Sequence, residues 1–193
     1  SANSHFHVRY TSLDEGLRDN VNAVGFLKDD DRRELDTEVT HQVWFQDSAF
    51  ERVEGKLNYN RYWSQEGVLR SWELESDVEL VLTSGWQLEL SYDDGFELFE
   101  KEFRNSIASL EVGYDNRAGR AVFVSVGSGT NFDSDLERYG GRIDLKITDA
   151  LNATYNLTRI WFSPDENYLG SLIHYVMATY YVNNDMYFKL FYQ

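Results

Sequence analysis

The chain has 193 residues, no Cys and one Pro, with thirteen Tyr, twelve Phe and five Trp, and a formal net charge of −15. That charge excludes a nucleic-acid surface, which needs the opposite sign, and a basic helix lying on a membrane. The missing Cys excludes disulfide scaffolds and thiolate metal sites, and the aromatic content excludes an acidic disordered chain.

Length and composition suit one domain over 1–193. No run of about 18 apolar residues is present, so no transmembrane helix is expected. A mean hydropathy of −0.53 leaves a membrane barrel open, because only one face of a barrel strand is apolar. No basic stretch followed by an apolar one opens the chain, so Ser1-Ala2-Asn3-Ser4 is expected to be a mature or trimmed start.

Strands are predicted at roughly 5–10, 37–47, 50–63, 68–83, 85–93, 107–115, 120–128, 140–148, 151–162, 171–182 and 186–193. The signal is alternation with a period of two. Trp72, Leu74, Val78, Leu80 and Leu82 fall on one side, interrupted by Ser76, against Ser71, Glu73, Glu75, Asp77 and Glu79. Trp86, Leu88, Leu90 and Tyr92 oppose Gln87, Glu89, Ser91 and Asp93 in the same way. Leu110, Val112 and Tyr114 follow, then Ile143, Leu145 and Ile147, then Leu151, Ala153, Tyr155 and Leu157. Leu172, Val176, Ala178, Tyr180 and Val182 share a face with His174, and Met186, Phe188, Leu190 and Tyr192 close the chain. Phe96–Arg104 is the least strand-like apolar segment, and no helix is predicted.

The connections are read as alternately short and long from residue 47 onward. Residues 47–49, 83–85, 116–119, 148–150 and 183–185 form the short set. Residues 64–67, 93–106, 128–139 and 163–170 form the longer set. Successive antiparallel connections lie at opposite ends of a sheet, so one end is predicted to be trimmed and the other looped. Bacterial outer-membrane barrels have this asymmetry.

The expected fold is therefore all-β: an antiparallel up-and-down transmembrane β-barrel with about 10–12 strands in this chain. A soluble β-barrel binding an apolar small molecule would alternate in the same way, with its apolar face inward. Long strands favour the membrane reading, since about 9–11 residues are needed for a tilted crossing. Aromatics near strand ends, as in interfacial girdles, favour it too: Tyr59, Trp63, Trp72, Trp86, Tyr92, Tyr114, Tyr155, Trp161, Tyr180 and Tyr192. Single-chain bacterial barrels close with even numbers, so an odd count of eleven means that a strand is missed or over-read in the pattern or that upstream strands are missing from this chain.

Few residues suggest chemistry. His5 and His7 share a face without a third ligand nearby, and His41 and His174 are isolated. Asn131, Asp133, Asp135 and Glu137 alternate oxygen ligands like a calcium loop, but lack its turn glycine and its terminal bidentate Glu. Asp29-Asp30-Asp31-Arg32-Arg33 reads as a charged surface turn. Glu73, Glu75, Asp77, Glu79 and Glu89 form an acidic row, expected to face the lumen and to favour cations. Neither a serine-nucleophile elbow nor a phosphate-binding glycine fingerprint is present. No metal, cofactor or catalytic residue is expected, and the chain is not expected to be an enzyme.

The stretch Asp19-Asn20-Val21-Asn22-Ala23-Val24-Gly25-Phe26-Leu27, followed by Asp30-Asp31-Arg32-Arg33, resembles a segment of a bacterial envelope family. That family joins an N-terminal carbohydrate-binding, family-nine-like domain to a C-terminal domain of unknown function, read as an outer-membrane barrel. The closing run Asn184–Gln193 is similar to the family's last strand; Arg159 before Ile160-Trp161-Phe162 is a weaker echo. The chain departs from the family in lacking the carbohydrate-binding-like domain. The resemblance implies a bacterial outer-membrane location and a porin-like channel, transporter or envelope anchor. Membrane lipid is the expected partner, with other envelope proteins or an upstream domain besides.

Overall fold

The computed structural model describes residues 1–14, 16, 31–164, 170–183 and 185–193. Asp19–Leu27, Asp29, Asp30 and Asn184 lie outside the described residues, as does most of the 163–170 connection. The described strands are β1 (Ala2–Leu13), β2 (Arg32–Trp44), β3 (Phe50–Trp63), β4 (Leu69–Leu82), β5 (Trp86–Phe99), β6 (Lys101–Asp115), β7 (Arg120–Asn131), β8 (Ser134–Lys146), β9 (Leu151–Ser163), β10 (Ser171–Tyr181) and β11 (Tyr187–Tyr192). They form one antiparallel, up-and-down, eleven-stranded sheet in sequence order.

The sheet is open, with β1 and β11 at its two edges. Alternating direction makes β1 and β11 run the same way. Joining them directly would therefore create a parallel seam in an otherwise antiparallel sheet. The fold is that of an incomplete barrel.

Two predicted long connections are instead strand. Residues 93–106 were read as a loop, but β5 and β6 pair from Trp86↔Tyr114 up to Phe99↔Lys101, with Glu100 alone at the tip. The alternation fades there because both faces are mixed: Asp94, Glu102 and Arg104 stand outward beside Phe96 and Leu98, while Phe99 and Phe103 stand on the concave side. Residues 128–139 likewise collapse to a two-residue turn, because β7 and β8 pair up to Asn131↔Ser134. Phe132 and Asp133 take φ of 47° and 66°, the handedness that a tight hairpin requires. Of the longer set, 64–68 and 164–170 remain connections, joining β3 to β4 and β9 to β10.

At the opposite end, Gly85 (φ 92°) turns β4 into β5 where an added Cβ would strike the Asp115 carbonyl oxygen. Gly119 (φ 90°) does the same beside the Lys146 side chain. Arg117, in the β6–β7 turn, forms an ion pair with Glu51 at the start of β3. On a flat sheet, three strand spacings of about 4.8 Å would separate β3 from β6. The contact therefore records strong curling at this end.

The direction of curl follows from burial. Among the described residues, Glu34, Asp36, Val81, Ala121 and Thr179 are buried, and all five belong to the polar-phase face. Phe6, Leu57, Leu90, Val124, Ile143, Leu172 and Leu190 belong to the other face and are exposed. The polar face is concave and the apolar face convex, the reverse of a soluble barrel. Val81 and Ala121 are the sole buried apolar side chains among the described residues, so no conventional apolar core exists.

Candidate functional site: an acidic concave face and an apolar outer band

Register places the acidic row and extends it. Glu73, Glu75, Asp77 and Glu79 all lie on the concave face of β4, and Glu89 joins them from β5. Pairing adds residues that the linear pattern does not connect. Glu54↔Glu79, Glu79↔Glu89 and Glu89↔Glu111 are directly opposed, so four glutamates form a rung across β3 to β6. Glu38↔Asn58, Asn58↔Glu75 and Glu75↔Asp93 make a second rung. Glu54 and Glu111 were available in the sequence as polar-phase positions. Only their register across the turns assembles the rung.

The cations beside these rungs pair locally. Arg52 contacts Glu54 at 2.9 Å and also binds Glu79, while Lys56 reaches Glu38 at 3.4 Å. Arg9 bridges Glu34 (3.1 Å) and Asp36 (2.9 Å), and Tyr62 donates a hydrogen bond to Glu34 (3.3 Å). Beyond β5 the concave face turns small. Gly127 lies between Ser109 and Arg138 in one rung, and Arg138 donates across it to Ser109 Oγ at 3.1 Å. Phe123 lies over Gly113, and the Arg142 guanidinium sits 5.4 Å from the Phe123 ring centre.

No group of three acidic or His residues among the described ones is arranged to hold a metal ion. The calcium-like run is dispersed. Asp133 pairs with Lys101, Glu137 accepts from the Tyr139 hydroxyl at 3.0 Å, and Asp135 stands opposite Ser163. His5 and His7 stand on the concave face of edge strand β1. The outward His41 and His174 are satisfied locally, with His41 Nδ1 2.7 Å from Ser4 Oγ and His174 Nδ1 2.8 Å from Tyr155 Oη.

The convex face carries an apolar band that begins near the short turns and reaches the same height on four of the strands. Val53 to Arg61, Trp86 to Asp94, Leu145 to Glu137 and Leu151 to Arg159 each span eight positions from the turn to the first outward charge. Eight residues at about 3.3 Å, tilted by about 40°, rise about 20 Å. That approaches the apolar belt of about 25 Å on outer-membrane barrels. On β2 (Val43 to Arg33) and β6 (Tyr114 to Arg104) the first outward charge lies ten positions up, and Arg120 stands outward at the foot of β7 opposite Leu145. On β3, β5, β8 and β9 the top of the band follows the turns and not the hydrogen-bonding rungs.

The predicted aromatics divide around this band. Trp86 and Tyr114 pack together at the short-turn edge, with ring centres 5.3 Å apart, and Tyr180 lies near the same edge. Tyr59, Trp63, Trp72, Tyr92 and Trp161 mark the opposite boundary. Three of them carry an arginine: Arg61 over Trp63 at 5.6 Å, Arg104 over Trp72 at 4.9 Å and Arg159 over Trp161 at 4.1 Å. Tyr155 and Tyr192 fall mid-band; for Tyr155 the contact with His174 explains the placement. Comparison with known proteins adds no relative: no family model, curated protein or solved structure matches the chain.

Proposed function

We propose that this chain forms the larger part of a bacterial outer-membrane β-barrel wall, serving as a porin-like channel, transporter or envelope anchor with an acidic lumen. The observation that carries the reading is the broad apolar convex band backed by a charged concave face. In water, so broad an exposed apolar surface is an association hazard, whereas lipid would cover it. The open edges fit the same reading. A spanning sheet must pair every backbone group, so β1 and β11 need further strands. The runner-up, a soluble barrel with an apolar interior, is disfavoured because the apolar residues occupy the convex side.

The rungs from Glu54 to Glu111 and from Glu38 to Asp93 would make an open pore prefer cations. The resemblance to the envelope family supports the location and supplies no catalytic residue. The first test is heat-modifiable mobility after refolding into detergent or lipid, where a folded barrel migrates differently from the boiled chain. A chain that is monodisperse in water without detergent would remove the membrane reading. Reversal potentials in a planar bilayer test the lumen, and an anion preference would contradict it.

A further inference from the structure

The convex face is not uniformly covered by side chains. On β8 the outward position between Tyr139 and Ile143 is Gly141, flanked across the sheet by Val124 and Leu157. A Cβ built there would meet nothing within 4 Å. The gap opens into a groove of about 700 Å³, walled by Val124, Tyr139, Leu157 and Leu172, with Arg159, Trp161 and Glu137 at the upper end.

The head of the groove is chemically distinct from its floor. Arg159 is the first outward charge above the apolar band on β9. Its guanidinium lies 4.1 Å from the Trp161 ring centre. Arg104, at the same boundary, is clamped by Asp94 at 2.8 and 2.5 Å. Arg159 makes no such ion pair among the described residues. The carboxylate at the same end, Glu137, accepts from the Tyr139 hydroxyl at 3.0 Å and makes no ion pair with Arg159 among the described residues. An apolar channel ending in a guanidinium that makes no ion pair, with an indole beside it, matches an amphiphile with an apolar tail and an anionic oxygen head.

We propose that this groove is a lipid site: an acyl chain lies over Gly141, and the headgroup phosphate is held by Arg159. The inference rests on the membrane-barrel reading. Its occupant is a phosphate-bearing acyl lipid, since free phosphate has no tail to fill the groove and a phosphate-free lipid leaves Arg159 without its partner.

The test is native mass spectrometry of the refolded chain released from mixed micelles. The micelles contain phosphatidylglycerol or, in a second arm, a digalactosyl lipid with the same acyl chains. Heat-modifiable mobility of each sample is recorded first. The expected result is retention of phosphatidylglycerol over the phosphate-free lipid. Arg159→Gln should weaken phosphatidylglycerol retention about tenfold, the scale of one charge-assisted contact. Gly141→Leu should remove retention of both lipids by filling the groove, with no backbone strain. Inorganic phosphate alone should not compete. Equal retention of the two lipids by the wild-type chain, or unchanged phosphatidylglycerol retention in both variants, would overturn the site. With normal heat-modifiability, either result leaves the barrel reading standing. A chain without heat-modifiable mobility removes the barrel reading and this inference together.

Discussion

Glu79 on β4 stands directly opposite Glu89 on β5, and Glu89 in turn opposes Glu111 on β6. Like charges so placed repel, typically by about 0.2–1 kcal/mol per pair. Arg52 answers Glu79, but no ion pair of Glu89 is found among the described contacts. A sheet selected for stability alone would not keep this rung. Glu89→Gln is therefore expected to raise stability by about 0.2–1 kcal/mol while lowering cation preference. Urea unfolding in lipid vesicles and reversal potentials under a salt gradient read the two effects. Loss of stability on this substitution would show that the carboxylate has an unrecognised partner.

The boundary of the apolar band separates two leucines on the outward face of one strand. Leu90 lies in the middle of the band on β5, and Leu98 lies beyond Asp94. Leu90→Arg is expected to cost about 2–4 kcal/mol in a bilayer and Leu98→Arg about 0–1 kcal/mol. In water, both exposed sites would tolerate the change within about 0.5 kcal/mol. Equilibrium refolding into vesicles distinguishes these cases, and equal costs at the two sites would argue against a membrane-embedded band.

Two glycines predict opposite responses. An added Cβ at Gly129 would run into the Ser106 carbonyl oxygen and the Ile107 backbone, whereas at Gly55 it meets nothing within 4 Å. Gly129→Ala should loosen the β6–β7 ladder and cost about 1–3 kcal/mol, the range for forced overpacking. Gly55→Ala should be neutral or slightly stabilising, since it restricts the unfolded chain. Denaturant midpoints measured side by side check both, and a tolerated Gly129→Ala would mean that β6 and β7 sit further apart.

The β8–β9 turn offers a pH test outside the apolar band. Lys146 Nζ lies 2.7 Å from Asp149 Oδ1, and this hydrogen bond and charge hold the Asp149 carboxyl below its ordinary 3.8. A carboxylate with a depressed folded pKa contributes stability above its unfolded pKa and loses it as pH falls through the folded value. The pair should therefore persist at neutral pH and break only in strong acid. Carboxyl-carbon NMR should give Asp149 a midpoint under 3.8, returning toward it in Lys146→Gln. An unchanged midpoint in that variant would sever the link.

The legible parts of the fold were those with strong contrast between alternating positions. Trp72–Leu82 and Trp86–Asp93 separate into two faces at sight, because apolar and polar residues alternate there with only Ser76 and Val81 out of phase. Above Asp94 polar and apolar residues mix on both faces, so the upper halves of β5 and β6 read as a loop although their backbones pair fully. The acidic row on β4 was visible for the same reason of contrast. Its extension to Glu54 and Glu111 was not, because neighbouring rungs depend on turn lengths and register. The Gly141 groove left no trace in the pattern: a missing side chain matters only once its neighbours are placed.

By itself the sequence determined that this protein is a series of two-faced antiparallel strands, since a period of two commits each residue to one side of a pleat. It could not say which side faces inward, because alternation looks the same when the sheet is turned over. The tertiary structure decided that through its curl, which shelters Glu34, Asp36 and Thr179 and leaves Leu90 and Leu190 on the outside. It also decided that the sheet stays open, with β1 and β11 running in the same direction. Closure depends on which edges meet, and that is a relation between distant strands that no local pattern records.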